Sequence, residues 1–251
     1  LALVHRHRVV VLLVLVSGLS LAADPPDDRP RLHLIATGGS IAGRDDGRLG
    51  AAELLAIAPG IDRIARVEAE QLRNVSSSLL TLADWIAVSR RIRERFAADR
   101  DLAGLLVTCG TDTLEELAYF LHLTVADARP VVVVGAMRTP DARGYDGGAN
   151  LAAAVRTAAA RGARTQGVLV VMNGEIHSAR DVSKADAARL SAFESPAAGR
   201  LGLVRPERVV FERRAAKRHT LSSEFDVGSL GELPRVDVVL FYQGASGDLI
   251  Q

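Results

Sequence analysis

Hydroxyls, a carboxylate and a lysine recur in this chain directly after short apolar runs. Thr37-Gly38-Gly39-Ser40 follows the first run, Ser76-Ser77-Ser78 the second and Gly110-Thr111-Asp112-Thr113 the third. Asn173-Gly174-Glu175 and then Asp181-Val182-Ser183-Lys184 follow a later one. In an open parallel sheet, loops at the carboxyl ends of the strands gather round one crevice, so these groups are expected to converge. Gly38 and Gly39 permit a tight turn that brings bare N–H groups to a ligand, with Ser40 placed to attack a carbonyl carbon. Thr111 and Asp112 precede a helix, whose N-terminus favours anions. Lys184, desolvated beside Thr111, could lose its proton and act as a base, while Asp112 could hold a substrate ammonium group. Together they suit acyl transfer from an amide that carries both a positive and a negative group.

Each motif also has a plainer use. Thr-Gly-Gly-Ser makes a tight turn, Gly-Thr-Asp-Thr starts a helix by capping alone, and a serine triplet makes a solvated loop. Lysine is scarce, however. Of 31 basic residues only Lys184 and Lys217 are lysines.

The elements that would carry these groups alternate. Candidate strands are 32–37, 66–73, 105–108, 131–135, 168–172 and 236–242. Candidate helices are 52–58, 82–97, 113–126 and 150–161, the last ended by Gly162 as a C-terminal cap. Thr81 with Asp84, and Thr113 with Glu116, have the spacing of capping boxes. Near-continuous apolar strands alternating with helices predict an α/β fold with a doubly wound, mainly parallel, Rossmann-like sheet.

The chain has 251 residues, 31 basic against 30 acidic side chains, and one cysteine, Cys109. That balance supplies no field to draw in nucleic acid or anionic lipid. One cysteine excludes an intrachain disulfide framework, and Cys109 reads as a buried filler. Gly38, Gly39 and Gly43 do not form a dinucleotide fingerprint, and no phosphate-loop lysine follows them. A basic start, an apolar run and small residues before Asp24-Pro25-Pro26 form the parts of a secretory signal peptide over 1–23. A mature tail is expected over 24–31, an α/β domain over 32–212, a linker over 213–234 and the start of a second domain over 235–251.

Read together, the motifs resemble the bacterial type II L-asparaginases and glutaminase-asparaginases. The resemblance is carried by Ile35-Ala-Thr-Gly-Gly-Ser-Ile-Ala-Gly43 and Val107-Thr-Cys-Gly-Thr-Asp-Thr-Leu-Glu-Glu-Leu-Ala-Tyr-Phe-Leu121. Gly135-Ala-Met-Arg138 through Asn150-Leu151 and the stretch 168–184 extend it, in order along the chain. It implies a two-domain hydrolase, usually a homotetramer, that deamidates L-asparagine with no cofactor or metal. Ser40 then stands where the family has its first catalytic threonine, and Thr111, Asp112 and Lys184 match its second catalytic group. Ser77 matches the serine that holds the substrate α-carboxylate, Ser78 lines the amino side, and Gly39 and Gly110 present backbone to the substrate. The segment 43–50 is shorter than the family's lid and holds no tyrosine. By the same resemblance most of the C-terminal domain would lie beyond Gln251, and a small amino-acid amide would be the partner, with no nucleic acid and no membrane once the leader is removed. The expected location is the periplasm or outside the cell. A glutaminase-asparaginase of broader specificity, or a silent member that only binds amino acids, are the alternatives.

Overall fold

The computed structural model describes residues 27–228 and 231–246. The expected leader at 1–23 and the last residues of the expected second-domain start at 235–251 lie outside them. An eight-stranded sheet is built from β1 (Arg31–Gly38), β2 (Arg66–Val75), β3 (Leu102–Thr108), β4 (Val131–Val134), β5 (Val168–Met172), β6 (Glu175–Ser178), β7 (Gly202–Val204) and β8 (Val209–Phe211). Its spatial order is β8-β7-β6-β5-β4-β3-β1-β2. The first five strands pair in parallel, and β6, β7 and β8 continue the sheet antiparallel.

Among the described residues, four helices cover the two faces: α1 (Ala51–Ala56), α2 (Leu82–Ala98), α3 (Leu114–Thr124) and α4 (Gly147–Ala159). Side chains on a strand alternate between faces, and both faces here are apolar. Leu34, Leu106, Val132 and Leu169 pack with Leu54 of α1 and Leu151 of α4. Ile35, Leu105, Val133 and Val170 pack on the other face with Ile92 of α2 and Leu117 of α3. Double coverage explains why the central strands read as unbroken apolar runs. The edge strand β2 instead carries Arg66, Glu68, Glu70 and Arg73, which blunts its open side.

The chain forms β1, crosses to β2 on one side, then returns to β3 on the other. Loops leaving β1 and β3 therefore diverge and leave a crevice beyond their carboxyl ends, at the topological switch point.

Several expectations are corrected. Thr81 and Asp84 do form a reciprocal capping box. Thr113 caps α3 without a side-chain bond to its helix, because its hydroxyl reaches the Ser77 carbonyl at 3.3 Å instead. α4 begins at Gly147 rather than at residue 150 and is capped by Ala160, while Gly162 lies in a 3-10 turn. The strand expected at 236–242 is irregular chain with Val236, Val238 and Leu240 at least 79% exposed. An apolar run becomes a strand only when a neighbouring strand accepts its ladder, and no described strand lies beside this one. Residues 213–228 run across the helices: His219 packs on His122 with ring centroids 5.0 Å apart, Asp226 pairs with Arg93, and Val227 is buried.

Candidate active site

Three loops meet at the switch point so closely that side chains are excluded. A Cβ on Gly39, whose φ is +89°, would lie 2.3 Å from the Gly110 nitrogen. One on Gly110 would lie 2.7 Å from Ser77 Oγ. Gly38 Cα likewise sits against the Val75 backbone, and the Gly39 N–H donates to the Val75 carbonyl at 2.8 Å. That amide belongs to the scaffold, so the expectation of a bare N–H from Gly39 is not met.

The loops enclose a cavity of about 360 Å³, whose lining includes Gly39, Ser40, Ser77, Gly110, Thr111, Asp112 and Lys184. Seven of the eight expected site residues therefore share one wall-to-wall space. Ser78 does not: it is exposed and outside the lining. A 3-10 turn over Ser77–Leu79 rotates successive side chains, so that Ser77 is buried against Gly110 while Ser78 faces water. Asn173, Gly174 and Glu175 also stay out. Asn173 and Gly174, both at positive φ, make the two-residue hairpin turn between β5 and β6.

Thr111 is buried and accepts a hydrogen bond from Lys184 Nζ at 3.0 Å. The same Nζ lies 2.7 Å from Asp112 Oδ1. The ammonium carbon chain is well covered, with 18% of the side chain exposed, whereas Asp112 is 73% exposed. One Asp112 oxygen is thus engaged by Lys184, on an exposed side chain that lines the cavity. The Ser40 hydroxyl donates to the Ala136 carbonyl. A carbonyl fixes the hydroxyl's direction without removing its proton, so Ser40 is oriented and Thr111 is the hydroxyl joined to a titratable group. Cys109 behind Thr111 is fully buried, and burial pushes its thiol up to about 12, which keeps it protonated and inert.

The pattern of residues did not disclose what holds Lys184 in place. A short antiparallel ladder pairs Lys184 with Phe193. Glu115, in the first turn of α3, accepts from the Ser183 hydroxyl at 3.1 Å and from the Lys184 backbone N–H. Its carboxylate thereby ties the Lys184 segment to the helix that follows Thr111 and Asp112. Glu115→Gln replaces one acceptor oxygen with an amide donor facing a donor. We expect kcat on an amide substrate to fall about tenfold with a melting temperature close to wild type, because a small misplacement of a reacting group is costly. Steady-state kinetics beside a thermal melt checks this.

The opposite wall is held by a second network. Asp146 accepts from the backbone of Met137 at 3.0 Å and of Arg138 at 2.9 Å, and from Asn150 Nδ2 at 2.9 Å. Asn150 Oδ1 in turn accepts from the Asn173 N–H at 3.0 Å. These bonds place Met137 and Thr139, neither of them among the expected site residues, on the cavity wall.

The family model described as "Asparaginase, N-terminal" matches residues 31–217. This chain belongs to the asparaginase family. Its relatives include the L-asparaginase 2 of Bacillus subtilis, 39% identical over 89% of this chain and 62% of that protein. The L-asparaginase 2 of Escherichia coli is 39% identical over 96% of this chain and 69% of that one. The glutaminase-asparaginase of Pseudomonas fluorescens biotype A is also 39% identical, over 87% and 62%. The chain thus spans a little under two thirds of the length of two of these relatives. The crystal structure of a probable cytoplasmic L-asparaginase from Campylobacter jejuni superposes with a TM-score of 0.82 at 36% identity, covering 88% of this chain and 69% of that one. For this asparaginase-family chain, the expected α/β architecture with a mainly parallel sheet is borne out. Its cavity occupies the position at which open sheets of this kind bind ligands.

Proposed function

We propose that this chain is the catalytic part of an amidohydrolase that converts L-asparagine to L-aspartate and ammonia. The observation that carries the reading is the placement of Lys184 Nζ between Thr111 Oγ1 and Asp112 Oδ1, in one cavity with Ser40 and Ser77.

Ser40 Oγ forms the bond to the amide carbonyl carbon, and the carbonyl electrons pass to its oxygen. As they return, the C–N bond breaks. The serine proton ends on the departing nitrogen, carried across by the Thr111 hydroxyl and Lys184, and ammonia leaves. Water then attacks the resulting ester, releasing the carboxylic acid and restoring the Ser40 hydroxyl. Asp112, exposed at the cavity's rim, receives the substrate ammonium on the oxygen that Lys184 leaves open. Ser77 and Gly110 lie where they can meet the α-carboxylate.

Identity alone does not divide the two amides, since an L-asparaginase 2 and a glutaminase-asparaginase are equally similar to this chain. One methylene is worth about 10- to 200-fold in discrimination. Proton NMR of the purified protein with L-asparagine, and separately with L-glutamine, reads both the activity and its preference. Equimolar aspartate and ammonia are expected. No turnover by protein with a cooperative melt would leave the silent amino-acid binder as the better reading.

Export belongs to the same proposal. It rests on the basic, apolar and small-residue order of residues 1–23, and a relative in Haemophilus influenzae is described as a probable periplasmic L-asparaginase. A homo-oligomer, a tetramer by family resemblance, completes it. N-terminal sequencing of secreted material and light scattering read these two points.

A further inference from the structure

We infer that Arg48 is a further carboxylate-binding residue of this site, acting beside Ser77 and Gly110, and that its charge strengthens the selection of a substrate with a free α-carboxylate. The inference deepens the amidohydrolase reading and rests on it. Arg48 lies in a segment that differs from the family's lid, within a tight hairpin where Gly43 pairs with Arg48 and Arg44 with Gly47. The two-residue turn Asp45-Asp46 closes this hairpin, and Gly47 opens the return strand at a φ of +147°. Its return strand brings the Arg48 guanidinium onto the cavity wall beside Gly39, Ser76 and Ser77.

The guanidinium is aimed by neutral oxygens. Nε donates to Asn74 Oδ1 at 3.3 Å and Nη2 to the Gly39 carbonyl at 3.2 Å. Asn74 also donates to the Leu49 carbonyl at 3.1 Å, so one side chain clamps both the hairpin and the arginine. Among the described residues no carboxylate lies within ion-pair distance of Arg48. Its neighbour Arg44 is different, with Asp46 at 3.6 Å and Asp141 at 3.5 Å. Arg48 is therefore a half-buried, oriented cation with an unneutralised charge facing the cavity. A guanidinium offers five donors in a planar fork that suits a carboxylate, and the bonds above use only part of that fork. With Asp112 at another part of the rim, the cavity becomes bipolar. It presents a cation for the α-carboxylate and an anion for the α-ammonium of one amino acid.

The test compares Arg48→Gln and wild type on L-asparagine and on L-asparagine methyl ester, which keeps the side-chain amide and loses the carboxylate charge. KM for L-asparagine is expected to rise about 10- to 100-fold in the variant, the range for hydrogen bonds to a charged group. kcat should change little, and KM for the ester should stay within about threefold of wild type. Equal losses on both substrates, or a loss confined to kcat, would overturn the inference, since a merely structural arginine would act on both. Arg48→Lys keeps the charge without the fork and carries the test if the Gln variant lacks a cooperative melt; its KM should fall between the two.

Calorimetry with L-aspartate separates this inference from the reading beneath it. Binding by wild type that is lost in Arg48→Gln supports Arg48 even if no ammonia is released. Equal binding by both proteins, or none by either, overturns it.

Discussion

Lys184→Met should lower kcat on L-asparagine by about 10²- to 10⁴-fold, the range over which a positioned proton-transfer group contributes. Methionine matches the length of the lysine stem and removes only the nitrogen that joins Thr111 Oγ1 to Asp112 Oδ1. The Thr111 hydroxyl then loses the titratable group bonded to it, and with it the proposed path for the Ser40 proton to the departing nitrogen. KM should change less, because Ser77, Gly110 and Arg48 still line the cavity. Stability should change little too, since Asp112 is 73% exposed and water replaces its partner. Stopped assays of ammonia release, with a thermal melt of the same preparation, separate the two effects. A variant that retains wild-type kcat would remove Lys184 from the chemistry.

Gly39→Ala is expected to have the largest effect on the fold of the site, destabilising the protein by about 2–4 kcal/mol. Two costs combine. A φ of +89° is strained for any L side chain, at about 1–3 kcal/mol. The added methyl would also lie 2.3 Å from the Gly110 nitrogen and 2.4 Å from its Cα, a collision with backbone that no rotamer relieves. Relief requires the β1 and β3 loops to part, which moves Ser40 away from Thr111. Urea denaturation should therefore show a lower midpoint, and activity should be lost even below that midpoint. A variant as stable and as active as wild type would mean that the two loops are not held in contact in solution.

Much of the fold was legible because each central strand has both faces covered. β1, β3, β4 and β5 read as apolar runs, and Thr81 with Asp84 marked the start of α2 by side-chain chemistry alone. The antiparallel strands β6, β7 and β8 were not read. They are three or four residues long, and Glu175-Ile176-His177-Ser178 has no run or alternation long enough to stand out. Asn173-Gly174 carried the signature of their hairpin turn but lay after a strand, where polar residues also mark a site. At 236–242 the reverse holds: the apolar pattern predicts a strand, but pairing depends on a neighbour, and no described strand lies beside it.

Within the site, Ser40, Thr111, Asp112 and Lys184 were legible because each follows a strand or sits in a dense motif. Ser77 and Ser78 could not be separated by type, and only the 3-10 turn decides which of the two faces inward. Glu115 was hidden by a bland reading, as an acid in the first turn of a helix. Arg48 was hidden differently. Its segment stands out by the tyrosine it lacks, and only the Asp45-Asp46 pair before Gly47 hints at the turn of a hairpin that carries an arginine to the cavity.

Ammonia release from L-asparagine by the purified protein, with Ser40→Ala and Thr111→Val measured beside it, tests the account most directly. The account predicts release by wild type and a loss of about 10³-fold or more in each variant, since groups that act as a unit fail together. Release that continues unchanged in both variants would contradict it, because the bond to the amide carbon would then be made elsewhere.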